Sequence, residues 1–329
     1  MIPVFKIFGF FWIINLVFID YSVAEISRQL PKNKFQVQLS YAPLVKKTTP
    51  AVVNIYARKV LKERGQTLLF NDPFFQRFFG NNFGLGRPRK RIHKSLGSGV
   101  IVRSDGLVVT NKHVVQGADE INIVLSDRRE FSASLIITDD RTDLAVLKVN
   151  TKNQLLPFLE LSNSDVLEVG DLVLAIGNPF GVGQTVTGGI VSALARTMVT
   201  SSDLNYFIQT DAAINPGNSG GALVSMSGKL AGINTAIFSK SGGSLGIGFA
   251  IPSNMVRAVI NGITKDGKLV RGWLGAEGQS MSQDIANSLG MVRPTGVLIS
   301  KVYKDSAAYL GGIRVGDVIL NIAEHEINF

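Results

Sequence analysis

The residues able to carry acyl-transfer chemistry in this sequence are few, and one of them has unusual neighbours. Ser219 lies in INPGNSGGALV, Ile214 to Val224, between an asparagine and a pair of glycines. Gly217, Gly220 and Gly221 reach backbone conformations that residues with a Cβ avoid. A tight turn there, just ahead of the β-like run GALVSM, would hold the hydroxyl at its tip with neighbouring N–H groups turned the same way. That geometry suits a nucleophile backed by an oxyanion hole. The same composition also makes an ordinary surface turn, so the rest of the sequence must decide.

A serine hydroxyl is a weak nucleophile at neutral pH and needs a base. The chain has three histidines, His93, His113 and His325, far apart in sequence. His113 ends the run GLVVTNKHVV and is expected at a strand end facing a packed interior. A histidine in that place also serves as a satisfied core or turn residue. The third group must be a carboxylate that fixes the imidazole tautomer and stabilises the imidazolium. Asp143 opens DLAVLKV, where a charge entering a buried strand needs a partner to offset desolvation. Asp139 and Asp140 are alternatives in a nearby polar turn. Asp211 is close to Ser219 and is expected to order its own loop. The chain has no cysteine, which excludes disulfides, a thiol nucleophile and thiolate metal sites. With so few histidines, neither a metal nor a cofactor is expected.

The elements that must position these groups are short. From Gly97 onward GSGVIV, GLVVTNKHVV, EINIVL, EFSASLIIT and DLAVLKV are separated by turn signals. A second set follows the linker NTKNQLLPFLELSNSD: GDLVLAIG, QTVTGGIVSAL, YFIQTD, GALVSM, KLAGINTAI and GIGFAI. Short strands at regular spacing without intervening helices indicate all-β barrels or sandwiches, and two sets suggest two barrels. Met255, Val256, Val259, Ile260 and Ile263 then recur at helical spacing after Ser253, an expected N-cap. Beyond Arg271 a further small α+β unit follows.

Bulk composition bounds the class. A chain of 329 residues suggests about two domains. Its 45% hydrophobic and 18% charged residues exclude global disorder. The net charge of +9 invites a nucleic-acid reading. The basic cluster RPRKRIHK, Arg87 to Lys94, has no nucleic-acid-binding motif around it, so it reads as a solvated loop able to touch anionic lipid at a membrane periphery. At the N-terminus, Lys6 precedes an apolar run from Ile7 to Ile19. Ser22 and Ala24 then fit a signal-peptidase site with cleavage before Glu25. Residues 1–24 are therefore expected to be a signal peptide; an uncleaved anchor is the alternative. The stretch QTLLFNDPFFQRFFGNNFGLGRPRKRIHK reads as a long loop, about residues 62–94, carrying an aromatic cluster.

The order His113, Asp143, Ser219 across two β-sets is that of chymotrypsin-like enzymes. TNKHVV, TDLAVLKV and GNSGGAL, with GIGFAIPSN downstream, resemble the HtrA/Deg (protease Do) family of exported serine proteases over nearly the whole chain after the signal. The resemblance implies an all-β, chymotrypsin-like double-barrel protease domain over residues 41–265, followed by a partial α+β PDZ domain over 271–329. It implies His113 as general base, Asp143 as its orienting carboxylate and Ser219 as nucleophile. The N–H groups of Gly217 and Ser219 would form the oxyanion hole with Asn218 between them. Ile214 and Ile237 would line a hydrophobic pocket favouring small aliphatic side chains before the cut. Lys112 replaces a commoner asparagine, and Pro216 stands where some members differ; neither touches the mechanism.

SYAPLVKKTTPAVVNI resembles the family's trimer-forming stretch, with Tyr41 as a packing residue. NDPFFQRFFG resembles the loop that reaches toward a neighbouring active site. RGWLGAEG and GGIRVGDVIL resemble PDZ segments, a module that captures peptide C-termini by strand addition. The sequence reaches Phe329 about where the helix walling the peptide groove begins in such domains, hence the expectation of a partial unit. The implied function is an ATP-independent serine endoprotease for unfolded or misfolded exported proteins, located in the periplasm; no GxxxxGK[ST] loop is present. The readings from other classes are a holdase or peptide-binding chaperone with little proteolysis, a truncated remnant, and, more remotely, a nucleic-acid binder.

Overall fold

The computed structural model describes residues 40–60, 92–178, 183–197, 206–215, 217–237, 244–263, 268–323 and 325–327. The expected signal peptide lies outside the described residues, as do the phenylalanine cluster and most of the basic segment.

Helix α1 (Ala42–Thr48) leads into the first strand. The first barrel is closed from six strands: β1 (Val52–Val60), β2 (Ile92–Arg103), β3 (Leu107–Asn111), β4 (Glu120–Val124), β5 (Glu130–Asp139) and β6 (Leu144–Val149), in the order β1-β2-β3-β6-β5-β4. The second has the same plan: β7 (Leu172–Gly177), β8 (Thr185–Thr197), β9 (Tyr206–Thr210), β10 (Ala222–Ser225), β11 (Leu230–Ile237) and β12 (Gly248–Pro252), in the order β10-β11-β12-β9-β8-β7. β1 and β2 pair out to Val60 opposite Ile92, so the segment read as a long loop springs from a hairpin and its last residues, Ile92 to Lys94, already belong to a strand.

Side chains alternate across a strand, and here both faces of several strands are apolar for separate reasons. In β6, Leu144 and Val146 join a core cluster shared by the two barrels, while Ala145, Leu147 and Val149 fill the interior of the first. β10 behaves likewise: Ala222 and Val224 face the shared cluster and Leu223 the interior of the second barrel. Strands buried on both faces read as continuous apolar runs, whereas β4, covered on one face, alternates. The two barrels therefore meet through strands that are buried on both faces.

Helix α3 (Ser253–Asn261) closes the two-barrel unit; between β3 and β4 lies α2 (Lys112–Val115), a single turn. Val256 and Val259 of α3 pack into the shared cluster, and the Arg257 guanidinium donates to the carbonyls of Leu161 (3.2 Å) and Ser162 (2.8 Å) in the inter-barrel linker. Ser253 is not the N-cap that the sequence suggests. Pro252 takes that position, and the Ser253 hydroxyl donates instead to the Ser162 carbonyl at 3.0 Å, because the linker passes close beneath the helix start.

The C-terminal unit contains β13 (Ala276–Ser280), α4 (Gln283–Ser288), β14 (Val297–Val302), α5 (Ala307–Leu310) and β15 (Val318–Ile319). Its sheet has the order β13-β14-β15, and a small hairpin of β16 (Asn321–Ile322) and β17 (His325–Glu326) follows. Both short helices are capped by serine: Ser282 accepts from Ile285 N–H at 3.3 Å and Ser306 from Tyr309 N–H at 3.2 Å, as N-caps do. Among the described residues, no helix is long and apolar enough to cross a membrane.

Candidate active site

The antiparallel ladder between β3 and β6 ends with Asn111 opposite Leu144. One step further in the same register sets Asp143 against Lys112, and the chain holds it there. The Asp143 carbonyl accepts from Lys112 N–H at 2.8 Å and from the Asn111 amide at 3.2 Å. Its carboxylate accepts from His113 N–H at 3.1 Å through Oδ1, and Oδ2 lies 2.6 Å from His113 Nδ1. Asp143 has φ 55°, an αL conformation that Asp tolerates better than bulky or β-branched residues. That conformation turns the chain from β5 into β6 while aiming the carboxylate back at α2.

His113 therefore sits in the one-turn helix just past the strand end, with its side chain 17% exposed. A hydroxyl from the other barrel also reaches the carboxylate: Thr235 Oγ1 donates to Asp143 Oδ2 at 3.0 Å. Thr235 lies on β11 in the other barrel, 92 residues away. Sequence reasoning did not single it out, since a threonine inside INTAI looks like an ordinary strand former.

The other carboxylates have separate partners. Asp139 is only 5% exposed rather than a residue of an open turn. It accepts from the Thr142 hydroxyl and pairs with Arg271, which lies just ahead of β13. Asp140 is exposed and pairs with Lys112 Nζ at 2.7 Å, so the lysine that departs from the commoner asparagine braces the turn bearing Asp143. Asp211 accepts from Ile190 N–H at 2.7 Å and ties its loop to β8. Of the four candidates, only Asp143 meets His113.

Ser219 is 8% exposed, in the turn that enters β10. Ser219 O accepts from Ser98 N–H at 2.9 Å, and Gly220 N–H donates to Asn234 O at 2.7 Å, the residue before Thr235. The serine turn is thus laced both to β2 of the first barrel and to the strand whose threonine holds Asp143. Gly217 has φ 101° and Gly220 φ 80°, which answers the glycine content of the turn. A Cβ on Gly220 would stand 2.2 Å from Ser98 O and 2.3 Å from Thr110 Oγ1, so no side chain fits between the barrels there.

Asn218 braces the turn. Its N–H donates to Asn215 O at 3.1 Å, its Oδ1 accepts from Asn215 N–H at 3.1 Å and its Nδ2 donates to Ala213 O at 3.2 Å. Its amide is spent inside the turn and is not an oxyanion donor. Among the described residues, neither Gly217 N–H nor Ser219 N–H donates a hydrogen bond. Ile214 is 1% exposed in the core of the second barrel, against Gly248, where an added Cβ would come within 2.9 Å of Ile214 Cδ1. Ile237 ends β11 opposite Gly248; its side chain and Pro216 lie outside the described residues. No group of His, Asp and Glu among the described residues could hold a metal ion.

A histidine–aspartate pair on one six-stranded barrel and a glycine-bound serine on a second barrel of the same plan define the chymotrypsin-like class of double-barrel serine peptidases. The family model for a trypsin-like peptidase domain matches residues 97–233, and that for a PDZ domain matches residues 263–328. Among solved structures, the HtrA-type protease AlgW with decapeptide is 49% identical, with a TM-score of 0.63, over 88% of this chain and 87% of that one. This chain belongs to the HtrA-type serine protease family. A probable periplasmic serine endoprotease DegP-like of Pseudomonas putida (strain GB-1) is 48% identical over 293 residues, covering 86% of this chain. Its counterpart in Marinomonas sp. (strain MWYL1) is 46% identical over 293 residues, covering 85%. The chain spans 61% of the length of each of these two relatives.

Proposed function

We propose that this chain is an ATP-independent serine endoprotease acting on unfolded or misfolded polypeptides in the periplasm. The observation that carries the reading is the 2.6 Å approach of His113 Nδ1 to Asp143 Oδ2, in a carboxylate that also accepts from His113 N–H and Thr235. A carboxylate so placed holds a proton on Nδ1 and leaves Nε2 as the basic nitrogen. His113 then takes the Ser219 proton as Oγ attacks a peptide carbonyl and returns it to the leaving amine. The imidazolium formed between these steps is stabilised by Asp143. The N–H groups of Gly217 and Ser219 receive the negative charge developing on the carbonyl oxygen. Water repeats the sequence on the acyl-enzyme. Ile214 and Ile237 are assigned to the pocket that admits a small aliphatic side chain before the cut. The stretch around Tyr41 is assigned to a homotrimer contact.

The names of the curated relatives support the periplasmic location, and the match to the HtrA-type protease supports the reaction class. The substrate state is tested by incubating the purified protein, without nucleotide, with a disulfide-free reporter in its native and its denatured form. Cleavage of the denatured form alone, after valine or alanine, is expected. Equal cleavage of both forms, or suppression of aggregation without cleavage, would overturn the reading.

Thr235 acts through Asp143 as a positioning residue. Thr235→Val removes one hydrogen bond to a charged group, worth about 1.5–3 kcal/mol, and is expected to lower kcat by about 10- to 100-fold with KM unchanged. Thr235→Ser, which keeps the hydroxyl, should restore most of the rate. Steady-state kinetics on a short peptide distinguishes these outcomes; an unaltered kcat in Thr235→Val would remove the assigned role.

A further inference from the structure

Ser98 lies on β2, in the first barrel, and is 0% exposed. All of its polar groups are used, and three of the four bonds cross to the second barrel. Its N–H donates to Ser219 O at 2.9 Å and its carbonyl accepts from Thr110 Oγ1 at 2.7 Å. Its hydroxyl donates to Gly217 O at 2.6 Å and accepts from Asn178 N–H, just past β7, at 2.8 Å.

We propose that the Ser98 hydroxyl is a positioning residue for the oxyanion-binding turn, a role that rests on the serine-protease reading above. The reasoning concerns peptide planes. The plane bearing Ser219 N–H is fixed by its own carbonyl, Asn218 O, which accepts from Gly221 N–H at 2.9 Å. The plane that follows Gly217 has its N–H on Asn215 O and its carbonyl on Ser98 Oγ. Gly217 itself, at φ 101°, has little intrinsic preference among backbone conformations. The partner of the Gly217 carbonyl therefore holds one side of this glycine and limits the rotations that would redirect its N–H. Ser98 supplies that partner from a strand of the opposite barrel, and the bond to Asn178 N–H fixes the hydroxyl's own rotamer. Without the hydroxyl, Gly217 O and Asn178 N–H both lose their partner, and the turn is free to relax by rotating about the glycine. The first barrel, already the source of the base and its carboxylate, thus also holds the oxyanion donors of the second in register.

The test compares Ser98→Ala, and Ser98→Cys, which keeps a side-chain donor, with the wild type and with Ser219→Ala, all in the full chain. Kinetics on a short peptide are read beside the affinity for a peptide boronate ending in valine, whose tetrahedral adduct occupies the oxyanion hole. Circular dichroism reads the folded state. In Ser98→Ala, kcat is expected to fall by about 10²-fold, the loss typical of removing one oxyanion donor, with KM unchanged. Boronate affinity should fall by the same factor and the native spectrum should be retained. Ser98→Cys, a weaker donor, should lie between. Wild-type kcat in Ser98→Ala, or a loss of kcat that leaves boronate affinity intact, overturns the proposal while the protease reading stands. Hydrolysis that persists in Ser219→Ala overturns the protease reading and this proposal with it.

Discussion

Ser219→Ala is expected to lower the rate of peptide hydrolysis by about 10⁶-fold, the loss typical of removing the nucleophile of such a triad, while the fold is retained. The change deletes one oxygen from a turn whose shape comes from elsewhere. Gly221 N–H on Asn218 O, Gly220 N–H on Asn234 O and the Asn218 side chain on Asn215 and Ala213 are all independent of the Ser219 hydroxyl. Ser98 N–H still reaches the residue's carbonyl. Circular dichroism and thermal midpoint should match the wild type, and the variant should still bind unfolded substrate. His113→Ala should be equally inactive, and the double variant no worse than either alone, because the two residues act as one unit. Peptide cleavage by Ser219→Ala at more than a trace of the wild-type rate would falsify the assignment.

Asp143→Asn is expected to cost about 10⁴-fold in kcat, as in other triads of this geometry, with little change in structure. The two carboxylate oxygens face different donors, and that makes the loss predictable. Oδ1 accepts from the His113 N–H, a backbone donor that cannot rotate away. An asparagine must therefore keep its oxygen at that position and turn its NH₂ toward His113 Nδ1. Nδ1 is then forced to accept, the imidazole proton moves to Nε2, and the base faces Ser219 with the wrong tautomer. Thr235 can follow the change, since a hydroxyl accepts as well as it donates. The geometry survives and the chemistry does not. The expected result is a large fall in kcat with KM and thermal midpoint nearly unchanged. A loss of only a few-fold would show that Asp143 does not set the tautomer.

How much of this was legible beforehand depends on the range over which each feature is set. The strands were legible because their patterns are local: the continuous runs in DLAVLKV and GALVSM report burial on both faces. The His–Asp pairing was partly legible. A charge at the mouth of a buried strand requires a partner, which favoured Asp143, but Asp139 and Asp140 in the nearby turn stayed open as alternatives. Register resolved them, since the last rung of the ladder leaves Asp143 opposite Lys112 and beside His113. The N-cap expected at Ser253 failed for the converse reason: the local signal was present, but Pro252 took the position and a distant carbonyl claimed the hydroxyl.

The sequence by itself determined the alphabet of the site: one serine among glycines that leave room for a second backbone, one histidine at a strand end, and no cysteine or histidine cluster for an alternative chemistry. Those are matters of residue type and of spacing within a few positions. Only the tertiary structure decided which groups complete the site. Thr235 reaches Asp143 across 92 residues and Ser98 reaches Gly217 across 119. Neither residue has any local signal, because a threonine in a strand and a serine between glycines are unremarkable until another barrel is packed against them. The physical reason is that a hydroxyl's hydrogen bond depends on its neighbours within about 3 Å, and those neighbours were chosen by the closure and packing of two separate barrels.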